Sequence, residues 1–224
     1  MLHTLRQRIL GSASPELRKE ASVNIRRHVD KLICEAVQRW SEQLFSRHSD
    51  DELCYSIRLF YFFQCAISDH DHEWSMMHVY YDALQPSRQM LLGLDHPSSS
   101  PRPDFTIAIG NIEFRVEAKR LRLSDGLPAL YIRNGMARFR DGRYFSTPPF
   151  PGIMVGYVEA DSTTAIINKI NEILDTEPGS GPLHRLSATF PPDDSPTELA
   201  VYESTHDQGL VLRHYAVDVR VTAP

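Results

Sequence analysis

Between about residue 15 and residue 48 the apolar positions Val23, Ile25, Val29, Leu32, Ile33, Ala36, Val37, Trp40 and Leu44 return at helical spacing. That period places them on a helix, and Ser14-Pro15-Glu16 ahead of them is a start signal, because proline fits the first helical turn. Ser49-Asp50-Asp51-Glu52 predicts the cap of a second helix carrying Leu53, Ile57, Phe60, Gln64 and Ile67 on one face. Its acidic first turn suits the positive end of the helix dipole. A polar, histidine-rich loop from Asp69 to Trp74 follows, then a first strand over Met77 to Leu84 and a plain loop at Pro97-Ser98-Ser99-Ser100-Pro101.

From Asp104 the period changes to two. Asp104 to Ile109 and Ile112 to Lys119 are β-rich runs joined at Gly110-Asn111, a favoured two-residue hairpin turn. With those residues at the turn, Ile109 faces Ile112, Ala108 faces Glu113, Ile107 faces Phe114, Thr106 faces Arg115 and Phe105 faces Val116. Asp104 then falls across from Glu117. The register sorts its own faces: Phe105, Ile107, Ile109, Ile112, Phe114 and Val116 share one side. Asp104, Thr106, Ala108, Glu113, Arg115, Glu117 and Lys119 share the other. A slip of one residue would invert every side chain. Further along, a helical pattern runs from about Pro128 to Arg140, an apolar strand from Gly152 to Glu159, and an amphipathic helix from Ser162 to Leu174, capped near Asp161 or Ser162. A linker at 177–182 leads to three strand-like runs, 183–190, 197–204 and 211–220. The central order is therefore helix, strand, strand, strand, helix, strand.

The hairpin has an electrostatic consequence. Opposed residues on paired strands have Cβ atoms about 4.5–5.5 Å apart, and like charges so placed are destabilising. A hard cation bound by carboxylate oxygens offsets the repulsion between Asp104 and Glu117, with Mg²⁺ or Mn²⁺ the candidates. Lys119 projects to the same side one step on, where it can hold a nucleophilic water or a phosphate oxygen. The plainer alternative is a surface hairpin in which Arg115 and Lys119 balance Glu113 and Glu117 without metal.

Charge is distributed unevenly about a net −5: from Arg115 to Arg143 eight basic residues face three acids, whereas from Val155 to Leu210 ten acids face Lys169 and Arg185. A basic patch on an acidic body suits a protein that grips a polyanion at one place. No stretch nears the roughly 20 apolar residues of a membrane helix. MLHTLRQRIL has no apolar core of a signal peptide, and Cys34, Cys54 and Cys65 fit no metal-ligand spacing. A soluble, cytoplasmic chain with reduced thiols is expected.

Pro103-Asp104, followed by Glu117-Ala118-Lys119, resembles the PD-(D/E)xK nuclease superfamily, and the element order over about 50–175 is similar to that superfamily's core. The run from Tyr131 to Tyr144, with Gly152 to Val158, looks like bacterial members linked to genome defence. The resemblance implies an α/β fold with a restriction-endonuclease-like α-β-β-β-α-β core and a mixed sheet over 50–175. A helical extension would precede it at 1–49, and a β extension packed on the core would follow at 176–224. It implies Asp104, Glu117 and the Ala118 carbonyl as metal ligands, Lys119 as the catalytic lysine, and a further glutamate, Glu52 or its rival Glu73. Arg138 would reach the scissile phosphate or stand as a surface basic residue, and Arg120, Arg122, Arg133, Arg140 and Arg143 would contact the nucleic-acid backbone.

The implied activity is Mg²⁺- or Mn²⁺-dependent hydrolysis of a phosphodiester, in DNA more readily than RNA, with a bacterial defence system as the setting the resemblance suggests. A non-cleaving nucleic-acid-binding or assembly subunit is the alternative, and a repair or RNA-processing nuclease a third. The long first helix could serve a homodimer or a partner subunit in each case. His70, His72 and His78 lack a zinc-motif spacing, and His214, sharing a strand face with Asp218, suggests a structural hydrogen bond. No glycine-rich phosphate loop points to ATP or NAD.

Overall fold

The computed structural model describes residues 15–43, 51–70, 74–82, 102–144, 150–177, 184–189, 191–192 and 194–220. Two helices, α1 (Pro15–Glu42) and α2 (Glu52–Asp69), precede strands β1 (Met77–Tyr81), β2 (Phe105–Ile109) and β3 (Ile112–Leu121). A helical run follows, made of α3 (Leu127–Leu130), a π-helical turn (Tyr131–Met136) and α4 (Ala137–Arg140). Strand β4 (Gly152–Val158), helix α5 (Thr163–Thr176) and strands β5 (Ser187–Ala188), β6 (Leu199–Thr205) and β7 (Val211–Asp218) complete the chain. The caps are those the sequence suggests: the Asp51 side chain accepts from the Cys54 amide at 2.7 Å, and Ser162 caps α5.

Seven strands form one mixed sheet in the order β1-β2-β3-β4-β7-β6-β5. The β2–β3 hairpin has the register the alternation predicts, from Ile109–Ile112 to Phe105–Val116. Gly110, with φ +58°, supplies the left-handed backbone needed at the first turn position. The connection from β3 through the helical run to β4 makes that pair parallel, and β4 pairs in parallel with β7. The tail strands therefore continue the central sheet edge to edge.

Both faces of the sheet are covered. Leu32, Ile33, Val37 and Trp40 of α1 and Leu59, Phe62 and Phe63 of α2 pack on Phe105, Ile107, Phe114, Val116 and Tyr157. On the other face Ile132, Met136, Ile166 and Ile170 meet Leu121, Met154, Val158 and Leu212. The stripe Leu53, Ile57, Phe60, Gln64, Ile67 shares one side of α2, but that side is not the buried one. Leu53 and Ile57 are 57% and 51% exposed, and Tyr55, Ser56, Leu59, Phe62, Phe63 and Ala66 are buried instead. The helix is apolar nearly all round, so spacing alone offers two stripes, and the larger rings of the second fill the space against Trp40 and the sheet.

The first strand also ends at Tyr81, short of Leu84, which lies outside the described residues with Glu73 and the loop 97–101. Among the described residues no helix is long and apolar enough to cross a membrane.

Candidate active site

Strand β3 turns Phe114, Val116 and Ala118 toward α1 and α2, which sends Glu117 and Lys119 to the opposite side by the pleat. The β2–β3 ladder stops at Phe105–Val116. At the next step Asp104 bonds through its side chain, Oδ2 accepting from the Ala118 amide at 2.7 Å. The Asp104 carbonyl accepts from the Asp82 amide, tying the same residue to the end of β1. Asp104 is thus pinned beside Glu117 from two directions.

Glu117 is fully buried. Its Oε2 accepts from Arg138 Nη1 at 2.8 Å, and the same nitrogen lies 2.7 Å from the Tyr144 hydroxyl, which in turn donates to the Arg102 carbonyl at 2.7 Å. Glu117 Oε1 is 2.8 Å from Lys119 Nζ as an ion pair, yet among the described residues no directed hydrogen bond reaches that oxygen. Lys119 Nζ donates to Glu52 Oε1 at 2.7 Å and to the Ala118 carbonyl at 2.6 Å, and lies 3.9 Å from Asp104 Oδ2. Glu52, from the first turn of α2, also accepts from the Arg120 amide through Oε2 at 3.3 Å.

Above this cluster opens a cleft of about 350 Å³, walled by Glu52, Lys119, Arg120, Arg133, Arg138 and Arg143 together with Asn134 and Tyr131. Gly135 lets the π turn approach the strands: a Cβ there would lie 2.5 Å from Met154 Cε and 3.5 Å from Lys119 Cγ. Tyr131 is anchored from behind, its hydroxyl 2.9 Å from His214 Nδ1, with Ser204 Oγ 2.8 Å from both His214 Nε2 and His206 Nε2. His214 therefore does not pair with Asp218, which is held by Arg220. Four residues apart on one strand, the two side chains stand about 13 Å from each other, too far to bond. Burial pushes the His214 and His206 imidazoles down, to about 3 and about 4, so both are neutral.

Burial, and then the charge of Glu117, push the Asp104 carboxyl up from 3.8 to about 6, the signature of two acids sharing a desolvated place. Burial pulls Lys119 down, but Glu117, Asp104 and Glu52 outweigh it and the ammonium is held above its ordinary value. The same balance, with burial opposed by Glu117 and Tyr144, raises Arg138.

The donor set is chemically suited to a hard divalent cation: carboxylates of Asp104, Glu117 and Glu52, the Ala118 carbonyl, and one buried carboxylate oxygen lacking a directed donor. Its spacing is another matter. Among the described residues no group of three His, Cys, Asp or Glu side chains is spaced to hold a metal ion. The nearest oxygens stand 2.6–2.8 Å from the Lys119 nitrogen, wider than the ~2.1 Å that Mg²⁺ demands. The residues fit such a cation in kind, and an ammonium in present spacing.

Of the arginines expected along nucleic acid, Arg120, Arg133, Arg138 and Arg143 line the cleft, whereas Arg122 and Arg140 are not among its lining residues. Arg120 is bound in bidentate fashion to Glu159, at 2.5 and 3.0 Å. Arg122 pairs with Asp125 and, at 3.7 Å, with Glu159, and Arg133 and Arg140 each lie 3.7 Å from Glu177. The acids of the second half thus engage several of the basic residues of the first. Sequence reasoning missed Tyr144 and Asn134; both fall within the run quoted for its resemblance, but a one-dimensional pattern does not reveal which residues of that run turn inward. No family model, curated protein or solved structure matches this chain.

Proposed function

We propose that the protein is a metal-dependent nuclease that hydrolyses phosphodiester bonds, with DNA the first substrate to test. The observation that carries the reading is the convergence of Asp104, Glu117, Glu52 and the Ala118 carbonyl on Lys119, which with Glu52 and four arginines lines a cleft. Asp104, Glu117 and the Ala118 carbonyl would hold Mg²⁺ or Mn²⁺, with Glu52 completing the set. A bound divalent ion would lower the pKa of its water and stabilise charge on the phosphate.

The remaining work falls to the chain. Lys119 orients the attacking water or a phosphate oxygen by donating to it. Arg138, fixed between Glu117 and Tyr144, directs the Glu117 carboxyl. Arg133 and Arg143, 66% and 52% exposed at the side chain, offer donors to the phosphate backbone. The test is incubation of the pure protein with single- and double-stranded DNA and with RNA, in Mg²⁺, Mn²⁺ or chelator. Cleavage that chelator and Glu117→Gln both abolish supports the reading.

One observation favours a second reading, a nucleic-acid-binding subunit of the same fold that does not cleave. Lys119 and Arg138 already neutralise most of the acidic charge without a divalent ion. Binding that survives Glu117→Gln, with every substrate left intact in either metal, would favour it.

A further inference from the structure

The cleft has an apolar side as well as its arginines. Helix α3 contributes Leu127 and Leu130 to the lining, and the π turn after it contributes Arg133 and Asn134. Leu130 is 41% exposed, Leu127 is half-buried and Asn134 is exposed. Leucines left open among cationic side chains offer nothing to a phosphate backbone. We infer that the cleft takes an unpaired nucleotide of a single strand, with its base against Leu127 and Leu130 and its phosphates toward Arg133 and Arg143. The inference rests on the proposed reading of the cleft as the nucleic-acid site and adds the strandedness of its substrate.

Chemistry, size and charge each support it. A duplex keeps its base faces stacked and presents only base edges and backbone, so an apolar ledge finds no apolar partner there. An unpaired strand bares its base faces, which flat or apolar side chains cover while a basic groove holds the phosphates. The cleft, about 350 Å³, falls at the lower end of the roughly 300–1,000 Å³ typical of sites for one small molecule. That is room for a single nucleotide unit. Arg143 pairs with Asp141 where both side chains are open to water, 52% and 59% exposed. Such a pair is worth little, so an incoming phosphate can replace the Asp141 carboxylate. Arg133 is 66% exposed and stands 3.7 Å from Glu177. The Asn134 amide, with two donors and an acceptor, can meet the edge of the base.

The test is fluorescence anisotropy in chelator at one fixed salt concentration, with labelled strands of about 12 nucleotides. The probes are a DNA single strand, its duplex, an RNA single strand of the same sequence, and an abasic DNA strand that keeps the phosphates and lacks the bases. An intact single strand, of DNA or of RNA, should bind about ten-fold more tightly than the duplex or the abasic strand. Leu130→Ser should erase most of that advantage and leave the affinity for duplex unchanged. Duplex or abasic strand bound as tightly as the intact strand, or an equal response of strand and duplex to Leu130→Ser, overturns the inference; cleavage of the duplex in Mn²⁺ would then leave the nuclease reading standing. A preference for the single strand, with every probe left intact in Mg²⁺ and in Mn²⁺, supports the inference and overturns the nuclease reading. No binding of any probe overturns both. Should Leu130→Ser not fold, the intact and abasic strands decide on the wild-type chain.

Discussion

The protein has two buried ionic clusters, and they are built to different ends. At the junction of α1 with β6 and β7, Arg213 donates to Asp30 at 2.8 and 2.9 Å and to Glu203 at 2.8 Å; Tyr215 also bonds Asp30, and Arg26 pairs with Glu203. Two acids meet two arginines, and none of these groups is left with a buried polar atom lacking a partner. At the cleft three acids meet two cations, Glu117 Oε1 meets only the Lys119 ammonium among the described residues, and burial with the Glu117 charge forces Asp104 up to about 6. A closed network specifies shape, whereas an unbalanced one leaves electrostatic strain that a ligand can relieve. The first cluster ties α1 to the tail of the sheet; the second is where chemistry is expected.

The comparison breaks if the two clusters respond alike to mutation. The largest effect is expected at the closed cluster. Arg213→Ala strands Asp30 in the interior and should cost about 3–5 kcal/mol of stability, read by urea unfolding, while the folded fraction keeps its specific cleavage activity. At the cleft, Glu117→Gln should lower cleavage about 10²–10³-fold, roughly 3–4 kcal/mol of transition-state stabilisation. Its unfolding midpoint should shift far less than that of Arg213→Ala; equal losses of stability at the two sites would erase the distinction.

A third expectation sharpens the contrast because its sign is opposite. The folded form holds the Asp104 proton up to about pH 6 against 3.8 ordinarily. Its favourable contribution is therefore complete below about pH 4 and is lost as pH rises through about 6. In chelator, Asp104→Asn should be more stable than wild type at pH 7.5, by up to about 3 kcal/mol, and the gain should vanish near pH 4. Taking the difference between the two proteins removes the opposing acid sensitivity of the neutral His206 and His214. No gain at pH 7.5 would mean that burial and the Glu117 charge do not strain Asp104. The smallest effect is expected at the rim. Arg143→Ala should weaken DNA binding several-fold and lower the salt slope by about one, with the cleavage rate at saturation unchanged.

The hairpin could be read from the sequence because its information is local. Strict alternation from Phe105 to Val116 and a glycine at the turn leave one register that gathers six apolar residues on one face. That register brings Asp104, Glu117 and Lys119 to one place, and the cap at Asp51 was legible for the same reason. Helix α2 shows the opposite case. Leu53 and Ile57 match a helical period as well as Leu59 and Phe63 do, and only contact with Trp40 and the sheet decides which stripe is buried. Nor does any local pattern foretell the π turn, in which Gly135 sits so near Met154 that a Cβ would lie 2.5 Å from its Cε.

Sequence by itself determined the order of elements, the hairpin register and the candidate trio on it, because period, turn chemistry and charge act over a few neighbouring residues. Tertiary structure alone decided the partners drawn from afar: Glu52, 67 residues from Lys119, and Asp30, 183 residues from Arg213. It also decided that the tail strands continue the central sheet, through the parallel pairing of β4 with β7. Burial sets the strength of a charge and the cost of leaving it unpaired, and burial exists only once distant segments have packed.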